Sequence, residues 1–308
     1  GNKLWDKTLG GSGYDELTAL QQTSDGGIIL GGYSYSDLSG DKTQAAKGAI
    51  DYWVVKINAN GIKVWDKTIG GSRPDFLTSL QQTSDGGYIL GGYSYSGISG
   101  DKTEASKRFS DYWVVKLDAA GNKVWDKTFG GDDFDAPNVV EQTSDGGYIV
   151  AGFSISGLSG NKNYPSKGES DAWIIKLDAN GIKQWERVYG GTDDEQITDL
   201  LQTADGGYIF AAESQSDISS DKGQNSRGSF DYWLIKTDQI GVKQWDKTFG
   251  GDLNDNTPKI IQPPDGGNLL AGETLSGISG EKSEAPIGAF DYWLVKTEPD
   301  TFSWDDLI

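Results

Sequence analysis

QQTSDGG occupies residues 21–27 of the chain, and the same seven letters return at residues 81–87. Related versions (EQTSDGG, LQTADGG and IQPPDGG) begin at 141, 201 and 261, so the spacing is 60 residues throughout. The first two 60-residue copies are identical at 42 positions. Self-similarity at a fixed period of this size is typical of solenoids, propellers and arrays. The repeat therefore decides the fold before any single motif does.

Each repeat predicts four short β-strands and no helix. In the second copy, DFLTSLQQT begins at residue 75, and an Asp-Gly turn joins it to YILGGYSYS. Asp-Gly between apolar runs is a strong hairpin signal, because glycine accepts the positive φ of the turn. After a polar stretch, DYWVVKLD and KVWDKT give two further strands rich in residues that suit a pleated surface. Four strands per repeat indicate a propeller blade.

The two chain ends indicate how the repeats close. The chain opens with LWDKT, the fourth strand of a unit, and its last DYW strand, the third of a unit, starts at residue 291. We therefore predict an all-β, five-bladed β-propeller, closed by pairing the N-terminal strand with the C-terminal DYW strand. A solenoid is the alternative, but it needs polar caps that this sequence lacks. The predicted single domain covers residues 1–298, in units 1–60, 61–120, 121–180, 181–240 and 241–298, and residues 299–308 form a tail.

Composition excludes several classes of partner and chemistry. The chain has 46 acidic and 27 basic residues, a net charge of −19. Such a surface repels phosphate backbones and anionic lipids, so we expect neither nucleic acid nor membrane partners. Cysteine and histidine are absent, which removes disulfides, the commonest general base and the usual zinc ligands. No signal peptide is visible, and a start at Gly rather than Met suggests a processed chain.

The order of strands resembles the WD-repeat layout, in which a first strand ends in an Asp-Gly turn. The unit resembles more closely the delta-60-like propeller repeats of secreted bacterial proteins, on GGSGYDELTALQQTSDGGIILGG (10–32) and DYWVVKINANG (51–61). This resemblance covers about the whole chain and implies a propeller at the bacterial cell surface or outside the cell, without a single activity. The long polar loop at 37–50 and its four equivalents depart from the family pattern.

The chain end carries a second resemblance. YWLVKTEPDTFSWDDLI, from residue 292, is similar to the opening strand of EVE-domain proteins, which bind modified bases. The rest of that domain is missing from this sequence. Within this chain, YWLVKT is the third strand of the last repeat, like its four counterparts, so no EVE function is carried over.

The long polar loops are the expected working face, because binding residues usually lie on loops held by a rigid scaffold. One recurring feature there is an acid after the double glycine, which would bind a cation or a sugar hydroxyl. The alternative is an aspartate that caps the tight turn into the first strand. The fourth copy offers either Asp194 or Glu195, and the other copies have Asp15, Asp75, Asp135 and Asp255.

A lysine recurs in every long loop, directly after an acid or an asparagine. It would hold ligand oxygens, or pin its own loop through a surface salt bridge. These lysines are Lys42, Lys102, Lys162, Lys222 and Lys282. An aliphatic residue four positions before each lysine is expected to plug and anchor the loop. These residues are Leu38, Ile98, Leu158, Ile218 and Ile278.

Two further recurring features have structural interpretations. The acid of each DYW strand is expected to be structural, because buried carboxylates must be paired, and the following Trp is expected in the blade core. Tyr33, Tyr35, Tyr93, Tyr95 and Phe153 suit the stacking of sugars, but their alternation along strands favours packing between blades. The DYW acids are Asp51, Asp111, Asp171, Asp231 and Asp291.

No catalytic constellation is visible, and the metal signal is weak. Acid-dense stretches would hold calcium loosely at Asp132, Asp133, Asp193 and Asp194, although strict calcium-loop motifs are absent. A glycosidase needs two carboxyl groups in different environments, whereas near-equal blades offer near-equal carboxylates. We therefore expect no enzyme activity and, calcium apart, no cofactor.

Repetition suits multivalent binding, because several weak equivalent pockets on one rigid body gain avidity. The sequence therefore predicts a monomeric, non-catalytic propeller that binds glycan on its long-loop face. The alternative is a protein-interaction platform or spacer without a small ligand, and a glycosidase is the least favoured class.

Overall fold

All regular structure in the chain is β-strand. The computed structural model describes residues 1–299 and contains no helix in them. The strands form five antiparallel sheets, each made of strands consecutive in sequence. This confirms the all-β class and the five repeated sheets of a five-bladed β-propeller. By contacts the chain divides into two compact units: residues 1–166 with 173–188, and residues 167–172 with those from 189 onward.

Three four-stranded sheets lie in the first unit, apart from a few residues of the third sheet. Their orders are β1-β2-β3-β4, β5-β6-β7-β8 and β9-β10-β11-β12. The strands are β1 (Asp15–Gln22), β2 (Ile28–Ser34), β3 (Asp51–Ile57), β4 (Lys63–Ile69), β5 (Asp75–Gln82), β6 (Tyr88–Ser94), β7 (Asp111–Leu117), β8 (Lys123–Phe129), β9 (Asp135–Gln142), β10 (Tyr148–Ser154), β11 (Asp171–Leu177) and β12 (Lys183–Tyr189).

The second unit holds the fourth and fifth sheets. The fourth has four strands and the fifth has three, in the order β17-β18-β19. The strands are β13 (Glu195–Gln202), β14 (Tyr208–Ser214), β15 (Asp231–Thr237), β16 (Lys243–Phe249), β17 (Asp255–Ile261), β18 (Leu269–Thr274) and β19 (Asp291–Lys296). The predicted tail at 299–308, and with it most of the EVE-like stretch, lies outside the described residues after Pro299.

The predicted strand pairing of LWDKT with β19 is wrong for this structure. No strand occurs in residues 1–14, and β19 pairs with β18 alone in the described chain. Trp5 instead lies over the Gly61 turn, where an added Cβ would come 3.0 Å from its ring, as Trp65 lies over Gly121. Trp5 thus repeats one packing contact of a fourth strand, whereas residues 1–8 are all exposed.

The Asp-Gly turns form as predicted, and a side chain completes each one. Asp25 Oδ1 accepts hydrogen bonds from Thr23 Oγ1 at 2.5 Å and from Gly27 N at 2.9 Å, and Gly26 has φ 79°. Lys56 Nζ lies 3.0 Å from the same carboxylate. The same contacts form in the next three turns, around Asp85, Asp145 and Asp205. Positive φ and a charged anchor together explain why Asp-Gly-Gly recurs in all five repeats.

A bulged threonine and a tyrosine join successive sheets of the first unit. The register between β1 and β2 shifts after Leu17, and the bulged Thr18 donates to the Leu77 carbonyl of the next sheet at 2.9 Å. The Tyr52 hydroxyl donates to the Trp113 carbonyl at 3.2 Å, and the two rings lie 4.8 Å apart. The same contacts join the second sheet to the third. Four of the five DYW tryptophans are buried, as predicted for the blade core, and Trp293 of the last sheet is partly buried.

Candidate functional site

The predicted acids after the double glycine are buried in the fold, except Asp15, which is half-buried. Asp75 has no exposed surface, and its Oδ2 accepts hydrogen bonds from Gly71 N at 2.6 Å and Ser96 Oγ at 3.2 Å. Burial raises the pKa of Asp75 to about 6. Equivalent contacts hold Asp15, Asp135 and Asp255. These are the contacts of a carboxylate that closes a turn, and the ligand role of these acids stays a prediction.

In the fourth repeat, Glu195 takes this place. Glu195 begins β13, and its carboxylate accepts from Gly191 N at 2.6 Å and from Ser214 Oγ at 2.7 Å. Asp194 lies one residue before the strand, where its Oδ1 accepts from Ser170 Oγ at 2.7 Å. The choice between two neighbouring acids, open in the sequence, is therefore settled by strand register.

The five loop lysines are buried, with at most 5% of their surface exposed. Lys102 Nζ donates to Thr128 Oγ1 at 2.5 Å and lies 5.3 Å from the centre of the Trp113 ring. Lys222 Nζ donates to Thr248 Oγ1 at 2.8 Å in the same way. Burial lowers the pKa of Lys102 to about 8. Four of the lysines thus anchor their loops by hydrogen bonds, whereas Lys42 Nζ is buried without a hydrogen-bond partner in the described chain. A role in holding ligand oxygens stays a prediction.

Three of the four acids that precede a loop lysine pair with another cation, and the third loop has Asn161 at this position. Lys47 reaches the Asp101 carboxylate of the next repeat, and Lys167 reaches Asp221 in the same way. A third pair joins Arg227 to Glu281. These ion pairs tie the first long loop to the second, the third to the fourth and the fourth to the fifth, so at these places a salt bridge between loops replaces the one predicted within a loop.

The DYW acids fit the structural role predicted for them. Asp111 is fully buried, and its Oδ2 accepts from Lys107 N at 2.9 Å, which closes the end of the long loop. Asp51 accepts from Lys47 N at 2.7 Å in the same way. Burial raises the pKa of Asp111 to about 7.

The acids predicted to bind calcium are engaged in local contacts. Asp133 Oδ1 accepts from Phe134 N at 2.9 Å, and Asp193 Oδ2 accepts from Thr192 Oγ1 at 2.9 Å. Asp132 is exposed, and its backbone N donates to Ser159 Oγ. Across residues 1–299, no three acidic side chains converge as metal ligands would. The geometry gives the calcium prediction no support.

The aliphatic residues predicted to plug the long loops point outward instead. Between 63% and 72% of the surface of each one is exposed. The side chain of the loop lysine lies in the loop interior instead. The plug prediction is therefore wrong.

A continuous aromatic ladder crosses the long-loop ends of the first three sheets. Its contacts begin at Tyr14, 5.9 Å from Tyr35, and end where Phe109 stacks on Phe134 at 4.8 Å between ring centres. All links are between 4.8 and 6.4 Å. The eight rings of this aromatic ladder are Tyr14, Tyr35, Tyr33, Phe76, Tyr93, Tyr95, Phe134 and Phe109. Packing between sheets, as predicted for the tyrosines, is thus one of its roles.

One end of the ladder is open and carries a carboxylate. Tyr14 is 62% exposed and Tyr35 is 48% exposed. The Tyr14 hydroxyl donates to Glu16 Oε2 at 2.8 Å. Hydrogen bonds from Tyr33 and Tyr14 lower the pKa of Glu16, so its carboxylate is ionised at neutral pH. Rings that expose apolar surface thus lie beside a hydrogen-bond acceptor.

The ladder breaks the symmetry of the repeats. The position of Glu16 is occupied by Phe76 in the second copy, and then by Ala136, Gln196 and Asn256. Sequence reasoning noted the tyrosines of the first two copies but missed Tyr14, Glu16, Phe76, Phe109 and Phe134. The signal for them was available, because all five lie at positions where otherwise similar copies differ.

Comparisons with known proteins give a distant relative in sequence and similar folds. No family model matches the chain. The regulatory protein FlaEY of Caulobacter vibrioides is 28% identical over 232 residues, which cover 71% of this chain and 24% of that protein. The chain thus matches about a quarter of the length of this curated relative. The resemblances to delta-60-like repeats and to EVE domains stay predictions.

Solved structures are similar to the chain in fold. A protein of unknown function from Dyadobacter fermentans has a TM-score of 0.50 at 11% identity, over 98% of this chain and 84% of its own. The WD40 domain of Pan2 from Neurospora crassa has a TM-score of 0.41 at 11% identity, over 83% and 75%. In the described part of the chain, no helix has the length and apolar character of a membrane span.

Proposed function

We propose that the protein is a non-catalytic glycan-binding propeller whose binding surface is the open end of the aromatic ladder. The observation that carries this proposal is the exposed pair Tyr14 and Tyr35 beside the ionised Glu16. Small-ligand sites combine aromatic surface with a few placed polar groups. The C–H face of a sugar ring packs on such aromatic surface, and its hydroxyls donate to a carboxylate.

Charge supports a neutral ligand. A net charge of −19 repels anionic polymers, whereas an uncharged polysaccharide is not repelled. A ladder of several rings also offers more than one contact to a chain of sugars, so weak single contacts add up. Glycans of this kind are displayed outside cells, which fits the extracellular or cell-surface location that we propose for a monomeric protein.

The arrangement of carboxylates favours binding over hydrolysis. Glycosidases place two carboxyl groups on either side of the bond that they cleave. At the open end of the ladder, the pKa of Glu16 is lowered rather than raised. A general acid needs a raised pKa to hold its proton near neutral pH.

A glycan array tests the proposal. We expect the wild type to bind specific neutral glycans, and the double variant Tyr14→Ala/Tyr35→Ala to lose at least about tenfold in affinity, as removed stacking contacts would cause. Tyr164→Ala is the matched control, because Tyr164 is 44% exposed but makes no ladder contact. The array is run in calcium and in chelator, and binding should survive chelator. Absence of glycan binding by the wild type, or equal losses of affinity in both variants, would overturn the proposal.

A further inference from the structure

Every repeat exposes one aliphatic side chain at the tip of its long loop. The exposed fractions are 63% for Leu38, 72% for Ile98, 66% for Leu158, 63% for Ile218 and 68% for Ile278. We call these five residues the loop tips. Single exposed aliphatic residues are ordinary on protein surfaces. An aliphatic residue exposed at the same position of all five repeats is unusual, because exposed positions tolerate polar side chains.

The loop tips are held in place by the backbone around them. After Leu38, Ser39 and Lys42 form a bridge, and Asp41 N donates to the Gly10 carbonyl at 2.8 Å. Ser39 Oγ also accepts from Ser12 N at 2.9 Å. The same bridge recurs in the other four loops. The tips are thus part of an ordered turn, and their exposure does not come from a loose loop.

Two positions near the tip vary between the repeats, whereas the tip stays aliphatic. The residue before the tip is Asp or Gly, and the residue three after it is Asp, Asn or Glu. The tip is Leu or Ile in all five copies. The buried lysine, the serine bridge and the backbone bonds account for the fold of the loop without it. A contact with another molecule accounts for the aliphatic surface, because burial of apolar surface is the main gain in protein association.

Acidic side chains flank four of the five tips. Asp37 precedes Leu38, and Asp217 precedes Ile218. Asp252 Oδ1 accepts from Ser279 Oγ at 2.8 Å, directly after Ile278. The fourth acid is Asp132, whose backbone N donates to Ser159 Oγ, directly after Leu158. The exception is Ile98.

These four acids form no ion pair within residues 1–299, whereas the loop cations Lys47, Lys167 and Arg227 are already paired. Hydrogen bonds lower the pKa of Asp252, chiefly that from Ser279, and backbone hydrogen bonds lower that of Asp37. Both are therefore ionised at neutral pH. Beside most tips the surface is thus apolar and negatively charged.

We infer that the loop tips are docking contacts for a protein partner whose surface carries aliphatic or aromatic side chains flanked by Lys and Arg. The apolar residue of the partner would pack on a tip, and its cations would face the neighbouring acids. A second copy of this chain is a poor occupant, because two bodies of net charge −19 repel each other. The inference is independent of the proposed glycan site, since it uses none of the ladder residues.

The test uses the whole chain and a defined probe, a short amphipathic helical peptide of leucine and lysine. In the tip variant, all five loop tips are changed to Ser. The control variant changes five other exposed aliphatic residues to Ser, with exposed fractions of 49–61%, at the turns and outer strands. These are Ile62, Val64, Val124, Ile182 and Val242. Circular dichroism and thermal unfolding confirm that both variants fold.

Fluorescence anisotropy gives the affinities. We expect the wild type and the control variant to bind the peptide within about twofold of each other, and the tip variant to bind at least about tenfold more weakly. A peptide of leucine and glutamate should not bind. The variant Asp37→Asn/Asp132→Asn/Asp217→Asn/Asp252→Asn should show a weaker dependence on salt. Equal binding by the tip variant and the wild type, or equal loss in tip and control variants, would overturn the inference.

Discussion

At the scale of single residues, the recurring charges of this protein serve the fold. Lys102 and Asp111 are both buried, and each holds part of a long loop by hydrogen bonds. Asp111 also lies near the buried Asp135 of the next repeat, and this like charge, after burial itself, raises the pKa of Asp111 to about 7. Neither Oδ1 atom of these two acids has a hydrogen-bond partner in the described chain. Ionisation of these two buried carboxyl groups therefore opposes folding.

This placement makes stability depend on pH in the mildly acidic range. The folded pKa of Asp111 lies above its ordinary value, so between about pH 4 and pH 7 the folded state holds a proton that the unfolded state has lost. The free energy of unfolding therefore falls as pH rises through this window. Asp75 and Asp231, whose pKa values are raised to about 6, act in the same direction.

We expect Asp111→Asn to flatten this dependence and to stabilise the protein at pH 8 by on the order of 1–2 kcal/mol. The amide still accepts from Lys107 N and offers a donor toward Asp135. Urea unfolding at pH 5 and pH 8 measures the effect. Asp118→Asn, at an exposed acid with a lowered pKa, is the control and should not stabilise at pH 8. A destabilisation by Asp111→Asn at pH 8 would contradict the expectation.

At the scale of strands and turns, the sequence was a good guide where local chemistry decides the structure. The Asp-Gly turns and the four strands of the first four repeats form as predicted, because turn glycines and β-branched residues act locally. The bulge at Thr18 was not predicted, since it depends on a carbonyl of the next sheet. The outward direction of Ile98 was also missed, because the buried lysine that displaces it is four residues away.

Glycines within strands mark places where two backbones nearly touch. An added Cβ on Gly92 of β6 would come 2.1 Å from the Phe76 carbonyl oxygen. We expect Gly92→Ala to destabilise the protein by about 2–4 kcal/mol, because backbone rather than a flexible side chain must move. Urea unfolding measures this. Gly97→Ala is the matched control, since nothing lies within 4 Å of its added Cβ, and it should be within about 0.5 kcal/mol of wild type.

At the scale of the whole molecule, the sequence established the fold class better than the binding surface. A strict period and four strand patterns lead to five sheets without knowledge of any contact. The candidate site could not be predicted in this way. The acids and lysines were chosen as candidates because they recur, and the residues that recur are those that each blade needs to fold. The ladder residues Tyr14, Glu16 and Phe76 differ between copies, so only the contacts of the folded chain bring them together.

The fifth sheet offers a test of how evenly stability is shared among the repeats. β15 (DYWLIKT) and the segment that starts at β19 (DYWLVKT) differ at one position, so their amides have nearly equal intrinsic exchange rates. β15 lies between two strands, whereas β19 pairs on one side alone in the described chain. Tyr232 is buried, and Tyr292 is 88% exposed.

We therefore expect the amides of β19 to exchange at least about tenfold faster than those of β15, because local opening costs less at an edge strand with few buried contacts. Hydrogen exchange with mass spectrometry, on peptides that cover residues 231–237 and 291–297, measures both segments in one sample of the intact protein. Equal protection would contradict this expectation. It would mean that a further strand covers β19 in solution, and the fourth strand predicted from LWDKT would then be the first candidate, testable by repeating the exchange on a chain that lacks residues 1–9.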